Sequence, residues 1–454
     1  MVVRISIAPT TAYAGEQLPK FSKLRFNEEY SEVQKKENNY FNSIKRLSLS
    51  NTSNAYVSIG GEARLRYEYT NNPSFGEDVQ DKYGVFLQRY TIHADLHLNE
   101  KFRFFTQVVS ALETGRNRGA SPVDENKLEF QNVFIDYLLD TKIPHPSTLR
   151  LGRQEIDLGS GRLVDVREGP NVRRTFDGIQ VILKNGEWDS SIFALRPRIT
   201  NLGAFDDEFD KEKSFWGVYM MIPYRKKVKT LIDFYYIGFK DESSVYDQGT
   251  KPEKRHSLGT RLSGEMNSWN YNWEYIYQFG TFGAGNIHAW SLATITGYQW
   301  KNIYWQPHIA LSVNIASGDK NRNNSDLESF NAIFPRGNYF SEAAVLGPRN
   351  FYNFHPFLTI HPDNNWSITA DINFFWRKET SDGLYSPSGQ LIRSSTDNNE
   401  RYVGSSASLN SEWLINRNVS LTAIYSHWVP SGFLKATGSS ESIDFFEFTV
   451  QYRF

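Results

Sequence analysis

The 454-residue sequence contains no cysteine, so no disulfide enters the account, and this is compatible with an oxidising envelope compartment. It holds no run of eighteen or more apolar residues, which excludes a transmembrane helix. It has almost no net charge, formally −1, which removes the electrostatic case for a nucleic-acid partner. No linker or break in composition interrupts the chain after residue 50, although a soluble protein of this length ordinarily divides into several domains. It also lacks Gly-x-Ser-x-Gly and His-Glu-x-x-His, and no other nucleophile and base are set at a convincing spacing, which argues against a lipase, a deacylase or any other enzyme.

What is present is an unusual pairing. Aromatic residues make up 15% of the chain, with 11 Trp and 25 Tyr, while the mean hydropathy is −0.52. A barrel with an aromatic-belted lipid face and a polar, wet interior has both properties at once. The last strand-like stretch, Ile443 to Phe454, sets Phe446, Phe448, Val450, Tyr452 and Phe454 on one side and Glu447, Thr449, Gln451 and Arg453 on the other. Left as a free edge it invites aggregation, whereas pairing with the first strand of the chain closes a barrel, one of the two backbone solutions that span a bilayer. The same alternation recurs upstream. Trp269, Tyr271, Trp273, Tyr275, Tyr277 and Phe279 oppose Asn270, Asn272, Glu274, Ile276 and Gln278, and Trp366, Ile368, Ala370, Ile372, Phe374 and Trp376 oppose Ser367, Thr369, Asp371, Asn373 and Arg377.

About eighteen such segments are expected, at 55–70, 84–98, 101–113, 127–139, 148–155, 173–184, 187–197, 213–224, 228–239, 254–267, 269–282, 287–300, 303–316, 351–362, 366–379, 400–412, 418–429 and 443–454. Connections after even-numbered segments are mostly tight, as at Asn99-Glu100, Ser268 and Lys301-Asn302. Those after odd-numbered segments are mostly long, as at 71–83, 114–126, 198–212, 240–253, 380–399 and 317–350. Short turns at one rim and long loops at the other predict an all-β fold, a transmembrane antiparallel barrel with periplasmic turns, extracellular loops and a bacterial outer-membrane location. Before the barrel, Met1 to Ala14 reads as a truncated signal peptide, with Arg4 and the triplet Ala12-Tyr13-Ala14. Residues 15–50 read as a polar periplasmic extension or plug, and 51–454 as the barrel.

The plain alternation breaks at Thr148 to Gly178, where Arg150, Arg153, Arg162, Arg167, Arg173 and Arg174 interleave with Glu155, Asp157, Asp165, Glu168 and Asp177. Glycines at 152, 159, 161, 169 and 178, with Pro170, suit a connection that folds inward. Arginines in a confined pore bind carboxylates and phosphates and attract anions, but they also stitch walls together as ion pairs, and both readings stay open for each one. The residues expected to line the pore and meet the solute are Arg64, Arg66, Arg89, Arg150, Arg153, Arg162, Arg167, Arg173 and Arg174, with Asp95, Glu155 and Asp165 trimming the positive field.

Leu149-Arg150-Leu151-Gly152-Arg153-Gln154-Glu155, Gly159-Ser160-Gly161-Arg162-Leu163-Val164 and Arg167-Glu168-Gly169-Pro170-Asn171-Val172-Arg173 together resemble the characteristic segment of the alginate-export family of bacterial outer-membrane proteins. So do Leu24-Arg25-Phe26-Asn27-Glu28-Glu29-Tyr30, Gly60-Gly61-Glu62-Ala63-Arg64-Leu65-Arg66, and Gln88-Arg89-Tyr90 with His93-Ala94-Asp95. The resemblance implies a monomeric eighteen-stranded barrel whose arginine-lined constriction passes a polyanionic polysaccharide outward, with periplasmic export partners. Beyond residue 185 or so it no longer assigns single residues.

The leading expectation is thus a passive channel for an anionic solute such as an acidic polysaccharide. The alternative is a non-conducting binding or structural barrel closed by its inward loop or N-terminal segment. Its other partners are membrane lipid and lipopolysaccharide. No cofactor is expected. Asp206, Asp207, Glu208 and Asp210 offer a weak calcium site in a loop, and His288, His308, His355 and His361 lack ligand spacing.

Overall fold

The computed structural model describes residues 19–31, 43–50, 54–139, 147–184, 188–225, 229–395 and 398–454. The wall consists of β1 (Tyr56–Asn71), β2 (Val85–His97), β3 (Phe102–Thr114), β4 (Asn126–Leu139), β5 (Ser147–Gln154) and β6 (Phe176–Lys184). It continues through β7 (Asp189–Ile199), β8 (Lys213–Arg225), β9 (Thr230–Tyr246), β10 (Gly249–Met266), β11 (Trp269–Phe282) and β12 (Gly285–Gln299). It ends with β13 (His308–Ala316), β14 (Phe351–Asp363), β15 (Trp366–Arg377), β16 (Tyr402–Leu414), β17 (Val419–Pro430) and β18 (Ile443–Arg453). Every neighbouring pair is antiparallel. The ring closes where β18 pairs with β1, from Glu62 opposite Arg453 to Asn71 opposite Asp444. The seam carries the pairing that the aromatic C-terminal stretch demanded. The expected signal segment, 1–14, lies outside the described residues.

Alternation divides each strand between two solvents. On β11, Trp273 and Tyr275 are 43% and 45% exposed on the outer face, while Asn270, Asn272, Glu274 and Gln278 are buried in the lumen. Across the β18–β1 seam Phe446 and Phe448 face outward beside Leu65 and Tyr67, and Glu62, Arg64, Arg66, Glu447 and Thr449 face inward. Among the described residues no helix is long and apolar enough to cross a membrane.

Gly152 and Gly178 face each other across β5 and β6 with φ of +130° and +153°. A Cβ at either position would lie 2.3 Å from a neighbouring strand's carbonyl oxygen, that of Val133 or Ala194, so only glycine permits the wall to bend there. The chain leaves β5 two residues after Gly152 and returns to β6 two residues before Gly178. Between them residues 155–175 fold into the lumen, as the glycine-rich composition predicted.

The interior departs from the expected wet pore. Residues 317–350 also fold inward and meet the first loop edge to edge. The Asp165 N–H donates to the Phe334 carbonyl, the Phe334 N–H to Leu163 and the Arg336 N–H to Gly161, at 2.9, 2.9 and 3.1 Å. Phe334 sets its ring against Phe176, Phe215 and Phe239 with centroids 5.2–5.6 Å apart. Lumen-facing Phe193, Leu195, Ile237 and Ile276 join the same apolar cluster. One side of the lumen is therefore a dry core. At Phe193, Leu195 and Phe215 the inner face of β7 and β8 is apolar because inward loops, rather than water, cover it.

Two connections also differ from expectation. Residues 240–253 are not a long loop: β9 and β10 run on to a two-residue tip, and loop residues bind it, with Ser395 donating to Asp247 and the Asp247 N–H to the Tyr385 hydroxyl. The turn after β12 spans 300–307 rather than two residues. Trp305 and Gln306 adopt positive φ there, and Pro307, which has no N–H to give a ladder, precedes β13.

Candidate functional site

The polar half of the lumen is built from β1, β2 and the inward loop 155–175. Glu168, on that loop, is its hub. Its carboxylate contacts Arg89, Arg173 at 3.2 Å and Arg64 at 3.8 Å. Burial pushes this carboxyl up, but Arg89, Arg173 and Arg64 overcome that and hold it well below the usual carboxylate range. Arg89 also binds Glu62 through Nε and Nη2 at 3.1 and 2.8 Å. Arg64 donates to the carbonyls of Glu168 and Pro170, and Arg66 reaches Gly169, so strand arginines grip the loop backbone. Arg66 further meets Glu68 and Glu447, both at 3.2 Å.

Most of the expected pore arginines are thus already paired. Arg173 lies 2.8 Å from Glu155 Oε1, which also accepts from Gln131, while Oε2 accepts from Asn132. Arg162 pairs with Glu274 of β11 at 2.7 Å. Arg150 forms a two-pronged bridge to Asp136 at 2.7 and 2.8 Å, low in the barrel. Asp95 binds Arg103 at 2.7 and 2.8 Å, away from the loop, and Asp165 holds Lys23 at 2.6 Å. Arg153 is a correction to the expected lining. It lies three positions, an odd number, from the lumen-facing Arg150, so it shares its face of β5 with Leu151, which is 43% exposed, and stands on the outer side of the rim between Glu129 and Asp177. The structure brings Arg64, Arg66, Arg89, Glu155 and Arg173 together and leaves Asp95, Arg150 and Arg153 apart.

Arg167 and Arg174 are different. Arg174 donates only to the carbonyls of Asp165 and Pro335, at 3.4 and 3.5 Å, and lies over the Phe334 ring. Arg167 adopts a left-handed backbone, φ +60°, fixed by its N–H on the Asp165 carboxylate at 2.6 Å, and its guanidinium reaches only the Val172 carbonyl. Burial pushes the Arg174 guanidinium down from its ordinary value, and the Arg167 charge adds to this. Both face a cavity of about 690 Å³ above the septum, which Arg349 also lines. Arg349 gives its protons to the carbonyls of Phe330, Val245 and Gly389 and to Asn331, sandwiched between Tyr246 and Tyr385. Among the described residues no carboxylate lies within ion-pair distance of Arg167, Arg174 or Arg349. The cavity's remaining cations, Arg173, Arg198 and Lys213, are matched to acids.

Arg349 carries no sequence signal beyond its place in the longest loop, because nothing local tells an inward-folding loop from a projecting one. Lys23 directly precedes the Leu24–Tyr30 motif, but nothing in its sequence surroundings points to the inward loop it binds. Among the described residues no cluster of His, Cys, Asp and Glu has the size to hold a metal. Asp207 and Asp210 instead accept from Asn126, from backbone N–H groups and from Lys213.

The sequence model of the alginate export family matches residues 55–447, the whole wall but its last few residues. The chain belongs to the alginate export family. No curated protein sequence matches it. Among solved structures, this family member is similar to Pseudomonas aeruginosa OccK2 (OpdF), with 12% identity, 87% of this chain and 97% of that chain covered and a TM-score of 0.58. It is also similar to Pseudomonas aeruginosa OccD3 (OpdP), with 10% identity, 91% and 93% covered and a TM-score of 0.57. OccK2 in complex with glucuronate gives 11% identity, 87% and 97% covered and a TM-score of 0.55. At such identities the likeness speaks for the fold. Family and fold together make this alginate-export family member a porin-like barrel of the bacterial outer membrane, with its short turns periplasmic and its long loops extracellular.

Proposed function

We propose that this alginate-export family member is a channel that passes anionic solutes, of which an acidic polysaccharide such as alginate is the leading case. The observation that carries the reading is the chemistry of the extracellular vestibule. Three guanidinium groups, on Arg167, Arg174 and Arg349, converge on one cavity without a carboxylate partner. Guanidinium prefers a charged, two-pronged acceptor to a lone carbonyl, so a passing carboxylate improves on what these side chains already hold. The paired arginines below make weak successive contacts that an anion trades with Glu168, Glu155 or Glu62 and then leaves. The solved relative that holds glucuronate supports a carboxylated sugar as the ligand class.

A second reading is a non-conducting binding barrel, which the junction of the two inward loops favours. Single-channel recordings in planar bilayers, with small anions, small cations and uronate oligomers, decide between them. A channel of the proposed kind shows a reversal potential shifted toward the anion and concentration-dependent block by uronate oligomers. Folded protein that carries no current selects the binding barrel, and cation preference refutes the anion reading.

A further inference from the structure

Residues 19–31 lie inside the periplasmic end of the lumen. At one end the Pro19 carbonyl accepts from Arg417, in the turn between β16 and β17. Next, Arg25 sits on the seam that closes the barrel, donating to the Gly61 and Phe454 carbonyls at 2.9 and 2.8 Å while Glu28 holds its Nε at 2.7 Å. Phe26 then wedges edge-on between the lumen-facing rings of Phe105 and Phe134, with centroids 5.7 and 5.2 Å away and the Arg150 guanidinium above it. The segment follows the inner wall from β16 round to β4.

Lys23 leaves this wall and reaches the inward loop. Its ammonium lies 2.6 Å from Asp165 and 2.9 Å from Asp157, and its carbonyl accepts from Arg173 at 2.9 Å. A few residues along that loop, Arg162 pairs with Glu274 on β11 and Ser160 donates to the same carboxylate at 2.7 Å. In an eighteen-strand ring β11 stands on the far side from the β18–β1 seam. A polar bridge therefore spans the lumen from the Arg25 seam contact through Lys23, Asp165 and the loop to Glu274, and Lys23 is its joint. The seat of the segment is mostly polar. Phe26 and Tyr30 are the large apolar side chains it buries, beside the charged Arg25 and Glu28, and Lys23 remains 37% exposed. The Lys23 contacts, at a partly exposed ammonium, exchange for water far more cheaply than a dry core does.

We propose that residues 19–31 are a periplasmic strap that obstructs the lumen and is locked to the inward loop through Lys23, so that its release widens the conduction path. The proposal rests on the reading that the lumen conducts. It is a device of this chain alone: the strap, its seam contact and its loop contact belong to one polypeptide, and its Pro19 end lies against the turn between β16 and β17, where periplasmic factors have access.

Three proteins test it in planar bilayers at low ionic strength: the full chain, Lys23→Ala and a chain lacking residues 1–31. Folding of each is checked by heat-dependent gel migration and by strand content in circular dichroism. The expected result is a rise in single-channel conductance of roughly twofold or more in the truncated chain, with Lys23→Ala showing more frequent transitions to that larger level. Equal conductance and equal opening statistics in all three overturn the strap while leaving the channel reading intact. Silence in all three, with folding intact, overturns both. If the truncated chain does not fold, Lys23→Ala and Phe26→Ala carry the test, because each loosens the strap without removing it, and unchanged opening frequency in both refutes the proposal.

Discussion

Reversal of a single vestibule charge, Arg174→Glu, tests the electrostatic reasoning most directly. The vestibule volume, about 690 Å³, equals that of a sphere of roughly 5.5 Å radius, so an anion at its centre feels a lining charge at about that distance, worth ~0.75 kcal/mol in water. Reversal removes one such attraction and adds one repulsion, ~1.5 kcal/mol or about tenfold in local anion concentration before screening. With a Debye length near 8 Å at physiological salt roughly half of this survives, leaving about a three- to fourfold loss, whereas at about 0.01 M the loss is close to eightfold. The assay is the anion-to-cation permeability ratio from reversal potentials under a salt gradient, taken at both mean ionic strengths. Arg349→Glu, in the same lining, is expected to act with similar size. Arg153→Glu is the contrast: it sets a third carboxylate beside Glu129 and Asp177 on the outer rim, so it weakens the wall with little effect on selectivity. A permeability ratio in Arg174→Glu that matches the parent, or falls equally at both salt concentrations, refutes the view that uncompensated guanidinium charge in this cavity sets selectivity.

Two further outcomes follow from the loops. Phe334→Ala removes the ring that anchors residues 317–350 against Phe176, Phe215 and Phe239, at about 3–5 kcal/mol for a buried Phe. Faster hydrogen exchange confined to residues 155–175 and 317–350, with the wall strands unchanged, is the expected signature, and an unaltered exchange map contradicts it. Asp319, in the second of these loops, has its carboxyl raised to about 6, chiefly by burial and also by the nearby Asp382 charge. A carboxyl raised above its ordinary value favours the folded loop while protonated, so its contribution is complete below about pH 4 and is lost as pH rises through about 6. Exchange at residues 317–330, corrected for intrinsic rates, therefore speeds up between those limits, and Asp319→Asn abolishes the change. Protection that stays flat in the parent chain counts against this.

The wall was readable because lipid imposes a rule on every residue of a strand. Trp273 and Tyr275 must face outward and Asn272 and Glu274 inward, and any register slip exchanges the two sets, so eighteen strands emerge from period-two patterning alone. The lumen was less readable because two different materials, water and inward-folded chain, satisfy the same inward face. Phe193 and Phe215 look like a second lipid-facing row, but Phe215 packs against Phe334 of the inward loop and Phe193 against Phe215. The arginine-rich segment stands out in the sequence but its pairing does not, since local sequence shows a carboxylate nearby but not which guanidinium it meets. Glu168 neighbours Arg167 in sequence and binds Arg64, Arg89 and Arg173 instead.

The gap between neighbours in sequence and partners in space has a physical cause that also bears on function. In a strand, successive side chains point to opposite faces, and in the tight bends of residues 155–175 they diverge further, so a neighbour in sequence is the partner a charge seldom meets. The arginines that strands supply, Arg64, Arg66 and Arg89, find acids because cross-strand and loop carboxylates lie on the same inner face, and their cationic charge is used to hold the loop. Arg167, Arg174 and Arg349 belong to loops that rise above this layer, where the nearest acceptors are carbonyls. The same fold thus makes two kinds of arginine: compensated ones that brace the septum, and uncompensated ones that face the extracellular vestibule. A solute carrying carboxylates meets the second kind first from outside, or last on its way out, and only below them must it compete with Glu62, Glu155 and Glu168 for the guanidinium groups that keep the loop in place.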